Sequence, residues 1–306
     1  MKKMRLGKPQ QKADAHLRKK RRLKYIAVLP SFITLMNGAL GFIAIVFASR
    51  SPELRWSLFF LRGSPISFFS LSGYMIFLAM LADVLDGRVA RLTRTTSSFG
   101  GQLDSLSDIV SFGIAPAFLM VRLVEFHMLN LKFEQLNFLI LIERGLLFSA
   151  ILYAMCAIVR LARFNVENVE DASAHMSFSG LPSPGAAGVV VSLVILQQNL
   201  LSDFCKSPEL LRTFEIITVS ALPVITLLAG FLMVSRIRYP HLANQLFRGK
   251  KTLPSLLVIF ACGLLIIWNI QLAIVVGFCG FAITGVVRWI FISIFRKPRT
   301  PDPAST

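Results

Sequence analysis

Residues 25–48 read YIAVLPSFITLMNGALGFIAIVFA, long enough to cross a bilayer as a helix and holding one strongly polar side chain, Asn37. Comparable apolar runs recur at about 66–92, 98–123, 142–162, from GLPSPGAAG (180–188) to about 200, 213–235, 253–269 and 272–295. In lipid only helices and closed barrels can satisfy every backbone polar group internally, and a spanning helix needs roughly 20 apolar residues. Eight such runs predict an all-α, polytopic integral membrane protein with about eight transmembrane helices. A 55% hydrophobic composition and a mean hydropathy of +0.65 exclude an ordinary soluble domain.

Charge then orients the chain. Residues 1–24 carry eleven Lys or Arg against one acid, Asp14. The loop SRIRYPHLANQLFRGKK, beginning at Ser235, holds five basic residues and no acid. With eight spans both termini fall on one side, together with this loop, the 92–98 turn and the 160–180 loop. The positive-inside rule places that side in the cytoplasm. A basic arm can bind nucleic acid, but next to a membrane domain it is read as lying on anionic lipid, with no nucleic-acid partner. The four cysteines, Cys156, Cys205, Cys262 and Cys279, lack CxxC spacing and predict neither disulfides nor a zinc site. The predicted organisation is a basic arm (1–24), a membrane domain (25–235), a basic loop (236–252), two further helices (253–295) and a Pro-rich tail (296–306). Glu125, His127, Lys132 and Glu134 are expected in one polar loop, and Glu167, Glu170, Asp171 and His175 in another. Pro116 is expected to kink the third span, Pro182 and Pro184 to sit at a helix entry, and residues 269–271 to form a tight turn.

Against this apolar background the stretch DVLDGRVARLTRTTSSFGGQLDSLSD, residues 83–108, holds four of the chain's 16 acids. On one helix Asp83, Asp86, Gly87, Ala90 and Arg91 share a face; on the next, Gly100, Asp104 and Asp108 do. The segment from Leu92 to Gly100 lets the chain turn back, so the two faces can meet near the cytoplasmic surface. Carboxylates at membrane depth pair, bind a cation or line a polar path. One reading is an ion-pair network with Arg88, Arg91 and Arg94 stapling two helices. The other is a site for Mg²⁺, Mn²⁺ or Ca²⁺, which prefer oxygen ligands, beside a diphosphate that Arg91 helps to neutralise. The glycines favour the second, since they let a ligand approach the backbone. Four carboxylates exceed the need of one Mg²⁺, so two ions fit. A cation transporter would place polar groups along the membrane's depth, whereas these acids cluster at one face.

The pattern Asp83-x2-Asp86-Gly87-x2-Ala90-Arg91-x8-Gly100-x3-Asp104-x3-Asp108 resembles the complete signature of the CDP-alcohol phosphatidyltransferases. The resemblance implies a six-helix catalytic core, usually a homodimer, with spans seven and eight as an addition. It implies that Asp83, Asp86, Asp104 and Asp108 hold divalent cations, Mn²⁺ or Mg²⁺, two in number, and that Asp108 also acts as general base. Gly87, Arg91 and Gly100 would line the CDP site. TLMNG (34–38), DSLSDIVSFGIAPA (104–117), RLARFN (160–165) and GLPSPGAAG are similar to the bacterial membrane-type phosphatidylserine synthases. That similarity implies CDP-diacylglycerol and L-serine as substrates and a multi-pass place in the bacterial inner membrane. Glycerol 3-phosphate, inositol phosphate and choline stay open as acceptors. Arg160 and Arg163 are candidates for the serine carboxylate, or alternatively positive-inside anchors. Asn37 is a candidate for touching the nucleotide, or alternatively for a helix–helix hydrogen bond.

Overall fold

The computed structural model describes residues 31–50, 67–93, 98–130, 136–170, 180–200, 208–237, 239, 265 and 268–295. The described part is all-helical. Helix α1 covers Ser31–Ala48, α2 Phe68–Thr93 and α3 Ser98–Asp108. A π-helical turn, Ile109–Ile114, joins α3 to α4, Ala115–Asn130. Then come α5, Leu136–Glu170, α6, Ser183–Ile195, with a π-helical end at Leu196–Leu200, α7, Pro208–Val234, and α8, Ile270–Phe295. Five helical stretches are long and apolar enough to cross a membrane: Ser31–Ala48, Phe68–Val89, Phe99–Met128, Ile142–Val166 and Ile270–Phe291. Two shorter apolar helices, Ser183–Gln198 and Ser220–Val234, accompany them. The chain is a polytopic all-α membrane protein. The basic arm, the tail, Arg94, Asp171, His175, Cys205, Cys262 and nearly all of the expected seventh span, 253–269, lie outside the described residues.

Lipid tails are as apolar as leucine, so the helices associate through close packing of small residues. Helix α6 shows this best. It packs against α2, α4, α7 and α8, and Gly185 to Val191 are all buried. At Gly188 an added Cβ would stand 2.2 Å from the Phe278 ring, and at Gly185 it would stand 3.4 Å from Phe281, so both rings of α8 rest on α6 glycines. Tyr239 closes the same corner. Its hydroxyl donates to the carbonyl of Ala282 at 3.3 Å, and its ring occupies the space over Gly285.

The entry to α6 is built by GLPSPGAAG. Pro182 caps the helix and Pro184 lies in its first turn, where a missing N–H costs nothing. Gly180 has φ +92°, and its N–H donates to the carbonyl of Ile237 at 2.8 Å while that of Leu181 donates to Leu232 at 2.9 Å. A Cβ at Gly180 would lie 2.2 Å from the Met233 carbonyl oxygen. Strain and clash act together, so Gly180→Ala is expected to destabilise the protein by about 2–4 kcal/mol. Thermal unfolding in detergent should show it, and an unchanged midpoint would refute this account of the entry.

Three expected boundaries are corrected. Helix α4 continues to Asn130, so Glu125 and His127 are helical rather than in a loop. His127 is hydrogen-bonded to Gln197 across the bundle, and Glu125 accepts from Arg122 at 2.7 Å. Helix α5 runs 35 residues, about 52 Å at 1.5 Å per residue, well beyond a hydrocarbon core of about 30 Å. Glu167 and Glu170 therefore ride on the protruding helix and not on the expected loop. The turn expected at 269–271 is the start of α8, where the Asn269 side chain accepts from the N–H groups of Gln271 and Leu272 at 3.0 and 3.1 Å.

Candidate active site

Three of the four aspartates converge. Asp83 of α2 and Asp104 and Asp108 of α3 each offer one oxygen, all within 4.8 Å of one another. Asp83 lies in the C-terminal half of α2, and Asp104 and Asp108 lie one turn apart on α3, so each helix presents one acidic face. At that separation two carboxylate charges repel by roughly 3.5 kcal/mol at an effective dielectric of about 20. Among the described residues no Lys or Arg forms an ion pair with them. Asp104 Oδ1 is buried with no hydrogen-bond partner. An anionic cluster with Asp108 buried and Asp83 and Asp104 half-buried is costly unless a cation joins it. The donor set is all oxygen, which suits Mg²⁺ or Mn²⁺ and fits a divalent ion well.

Helix α1 supports the cluster from the side. Asn37, completely buried, donates from Nδ2 to Asp108 Oδ1 at 3.0 Å, while its own Oδ1 has no partner. The Thr34 hydroxyl donates to Asp86, which stands outside the triad of converging oxygens and is 6% exposed. Thr34 was not singled out by sequence reasoning, although it lies three residues before Asn37 and so on the same helical face. The close approach of α1 depends on Gly38 and Gly41. Their missing side chains make room for Ser107 and Ser111, and Ser111 Oγ donates to the Asn37 carbonyl at 2.8 Å.

The remaining candidates lie around this centre. A Cβ added to Gly87 meets no atom within 4 Å, and helix geometry puts that open volume on the face of Asp83, one turn away. Gly100 is on α3, half-buried, one turn before Asp104; the side chain of Arg91 is outside the described residues. From α5, Arg160 Nη1 donates to Ser183 Oγ at 2.8 Å at the entry of α6, and Arg160 attracts Asp108 electrostatically. Its Nε is buried without a partner. Arg163 lies three residues further along α5, half-buried. Asn165, the last residue of RLARFN, accepts from Ser105 Oγ at 3.1 Å and ties the protruding part of α5 to the aspartate helix. Sequence reasoning placed Asn165 at the start of a loop and gave it no role; its place inside a longer α5 is what brings it to Ser105.

Helices of a membrane bundle that gather three carboxylates, two half-buried and one buried, offer a site that could hold a metal ion. The sequence profile of the family described as CDP-alcohol phosphatidyltransferase matches residues 27–286, and the chain belongs to that family. Similar curated proteins include the CDP-diacylglycerol–serine O-phosphatidyltransferase of Helicobacter pylori strain 26695, 30% identical over 277 residues, 89% of this chain and 97% of that one. The protein of the same name from Methanocaldococcus jannaschii is 32% identical over 225 residues, 74% of this chain and 80% of the relative. The archaetidylserine synthase of Methanothermobacter thermautotrophicus is 31% identical over 215 residues, 70% of each chain. Family membership carries a general dependence on divalent cations, which the aspartate cluster can accommodate.

Proposed function

We propose that the protein transfers the phosphatidyl group of CDP-diacylglycerol to the hydroxyl of L-serine, giving phosphatidylserine and CMP. The observation that carries this reading is the convergence of Asp83, Asp104 and Asp108 in a chain whose relatives bear the serine-transferring name. Asp83, Asp86, Asp104 and Asp108 would hold Mn²⁺ or Mg²⁺, two ions in this reading. When bound, the metal supplies positive charge to the diphosphate oxygens. Asp108 accepts the proton of the serine hydroxyl. The serine oxygen then bonds to the phosphorus of the diacylglycerol phosphate, and the bond from that phosphorus to the CMP oxygen breaks. A positioned general base typically contributes about 10²–10⁴-fold. Asn37 fixes the rotamer of Asp108 and is the candidate on α1 for touching the nucleotide.

Gly87, Gly100 and Arg91 line the CDP site in this reading. Gly87→Ala is expected to leave the fold intact or stabilise it by about 0.5–1 kcal/mol, because alanine is the better helix former. It should still raise KM for CDP-diacylglycerol by about tenfold, since the methyl group fills volume the nucleotide needs. Unchanged KM would remove Gly87 from the site. Arg160 and Arg163 receive the serine carboxylate. Arg160→Gln keeps a donor for Ser183 but loses the charge, and KM for serine should rise about 10–100-fold with KM for CDP-diacylglycerol unaffected. Equal changes in both constants would assign Arg160 to the bundle instead.

The protein works as a homodimer in the cell membrane, with its termini and the aspartate cluster on the cytoplasmic side, where serine is available. The basic distribution of the arm and loops supports this orientation. The deciding assay is CMP release from CDP-diacylglycerol with Mn²⁺ or Mg²⁺, supplying serine, glycerol 3-phosphate, inositol phosphate or choline in turn. Release with serine alone is expected. Release with another alcohol would preserve the aspartate chemistry and overturn the choice of acceptor.

A further inference from the structure

The helix that carries Asp104 and Asp108 changes character at the residue after Asp108, where the π-helical turn Ile109–Ile114 begins. Its cause lies at Pro116. Proline has no N–H to offer the carbonyl of Phe112, four residues earlier, and its ring presses against that carbonyl. The backbone responds by opening: the N–H of Ala115 bonds to Val110, five residues back. The Phe112 carbonyl then takes a donor from another helix. Tyr153 of α5, completely buried, donates its hydroxyl to it at 3.0 Å. The same turn is fixed on its other sides by Ser111, which donates to the Asn37 carbonyl at 2.8 Å, and by Gly113, where a Cβ would touch Ala157 at 3.3 Å.

One extra residue in a helical turn rotates the flanking segments relative to each other by about 100°. Helix α4 cannot rotate, because Ala115, Leu119, Met120 and Leu123 are completely buried in the core. The rotation is therefore taken up by α3, and it decides where Asp104 and Asp108 point. We propose that Tyr153 is a positioning residue for the aspartate cluster, holding the π-helical turn that aims Asp104 and Asp108 at Asp83. It acts through the Phe112 carbonyl, and Pro116 is its counterpart in the chain. This inference rests on the reading of the cluster as a divalent-cation site.

The test is Mn²⁺ binding by the full chain in detergent, followed through the electron paramagnetic resonance of free Mn²⁺, with thermal midpoints measured alongside. Tyr153→Phe keeps the ring and loses the donor, and should weaken Mn²⁺ binding by about tenfold. Pro116→Ala restores the N–H that Phe112 lacks and should weaken binding similarly by letting the turn close to an α-helix. Once alanine satisfies Phe112, adding Tyr153→Phe should cost no further affinity. Unchanged affinity in Tyr153→Phe, with only a lowered midpoint, would overturn the proposal. If that variant does not fold, Pro116→Ala decides, and wild-type affinity there overturns it equally. Asp104→Asn separates the two readings: if the unaltered chain binds no Mn²⁺, or Asp104→Asn binds it as well, the metal site itself fails and this inference fails with it.

Discussion

Asp108→Asn should lower CMP release by at least about 10²–10⁴-fold, the contribution of a positioned general base. The substitution is close to isosteric. The new amide can still accept the hydrogen bond from Asn37 Nδ2, so the tie between α1 and α3 survives. What disappears is the basic oxygen and one of three clustered charges. Without metal the remaining chain should be at least as stable as before, because each close carboxylate pair costs roughly 3.5 kcal/mol at an effective dielectric of about 20. The result to look for is a collapse in turnover together with a thermal midpoint, measured in chelator, that is unchanged or higher. Turnover within twofold of the original would remove Asp108 from the reaction. A collapse in both quantities would instead mean that Asp108 holds the bundle together.

Gly41→Ala should damage the same site through α1. The new Cβ would lie 2.5 Å from Ser111 Oγ and 2.7 Å from Ser111 Cα. The second of these is backbone, inside the π-helical turn, and cannot swing aside as a side chain can. Helix α1 must therefore move outward, taking Thr34 away from Asp86 and Asn37 away from Asp108. Overpacking of this kind costs about 1–3 kcal/mol. Loss of the groups that orient metal ligands typically costs about 10–100-fold in activity or metal affinity, and a drop in that range is expected here. Gly101→Ala is the matched control, since its Cβ would meet nothing within 4 Å. Equal activity in the two variants would show that the approach of α1 does not matter to the site.

Most of the membrane architecture was legible in the sequence because apolar length is a local property. Residues 68–93 and 270–295 are helical almost where the hydropathy of the chain put them. The helix ends were harder. Residues such as Glu125, His127 and Glu167 are polar, yet a helix continues through polar residues once it has left the hydrocarbon, and no breaker stops it there. The spacing of Asp83, Asp104 and Asp108 foretold two acidic faces, since i, i+3 and i, i+4 relations follow from helix geometry alone. It did not foretell that Asp86 would be drawn to Thr34 while the other three converged. That depends on how far α1 approaches, which Gly38 and Gly41 decide only in combination with Ser107 and Ser111 on another helix.

The sequence by itself determined an all-α membrane protein, a four-aspartate signature on two successive helices and, through that signature, the family. These are features written in local spacing and hydropathy, and each is settled within a few helical turns. Only the tertiary structure decided that Asn37 serves Asp108, that Arg160 meets Ser183, and that Tyr153 answers the carbonyl Pro116 sets free. Those contacts join residues 71, 23 and 41 positions apart. Their partners are chosen by the angle and closeness at which helices pack, and small residues set that closeness over distances no local pattern encodes.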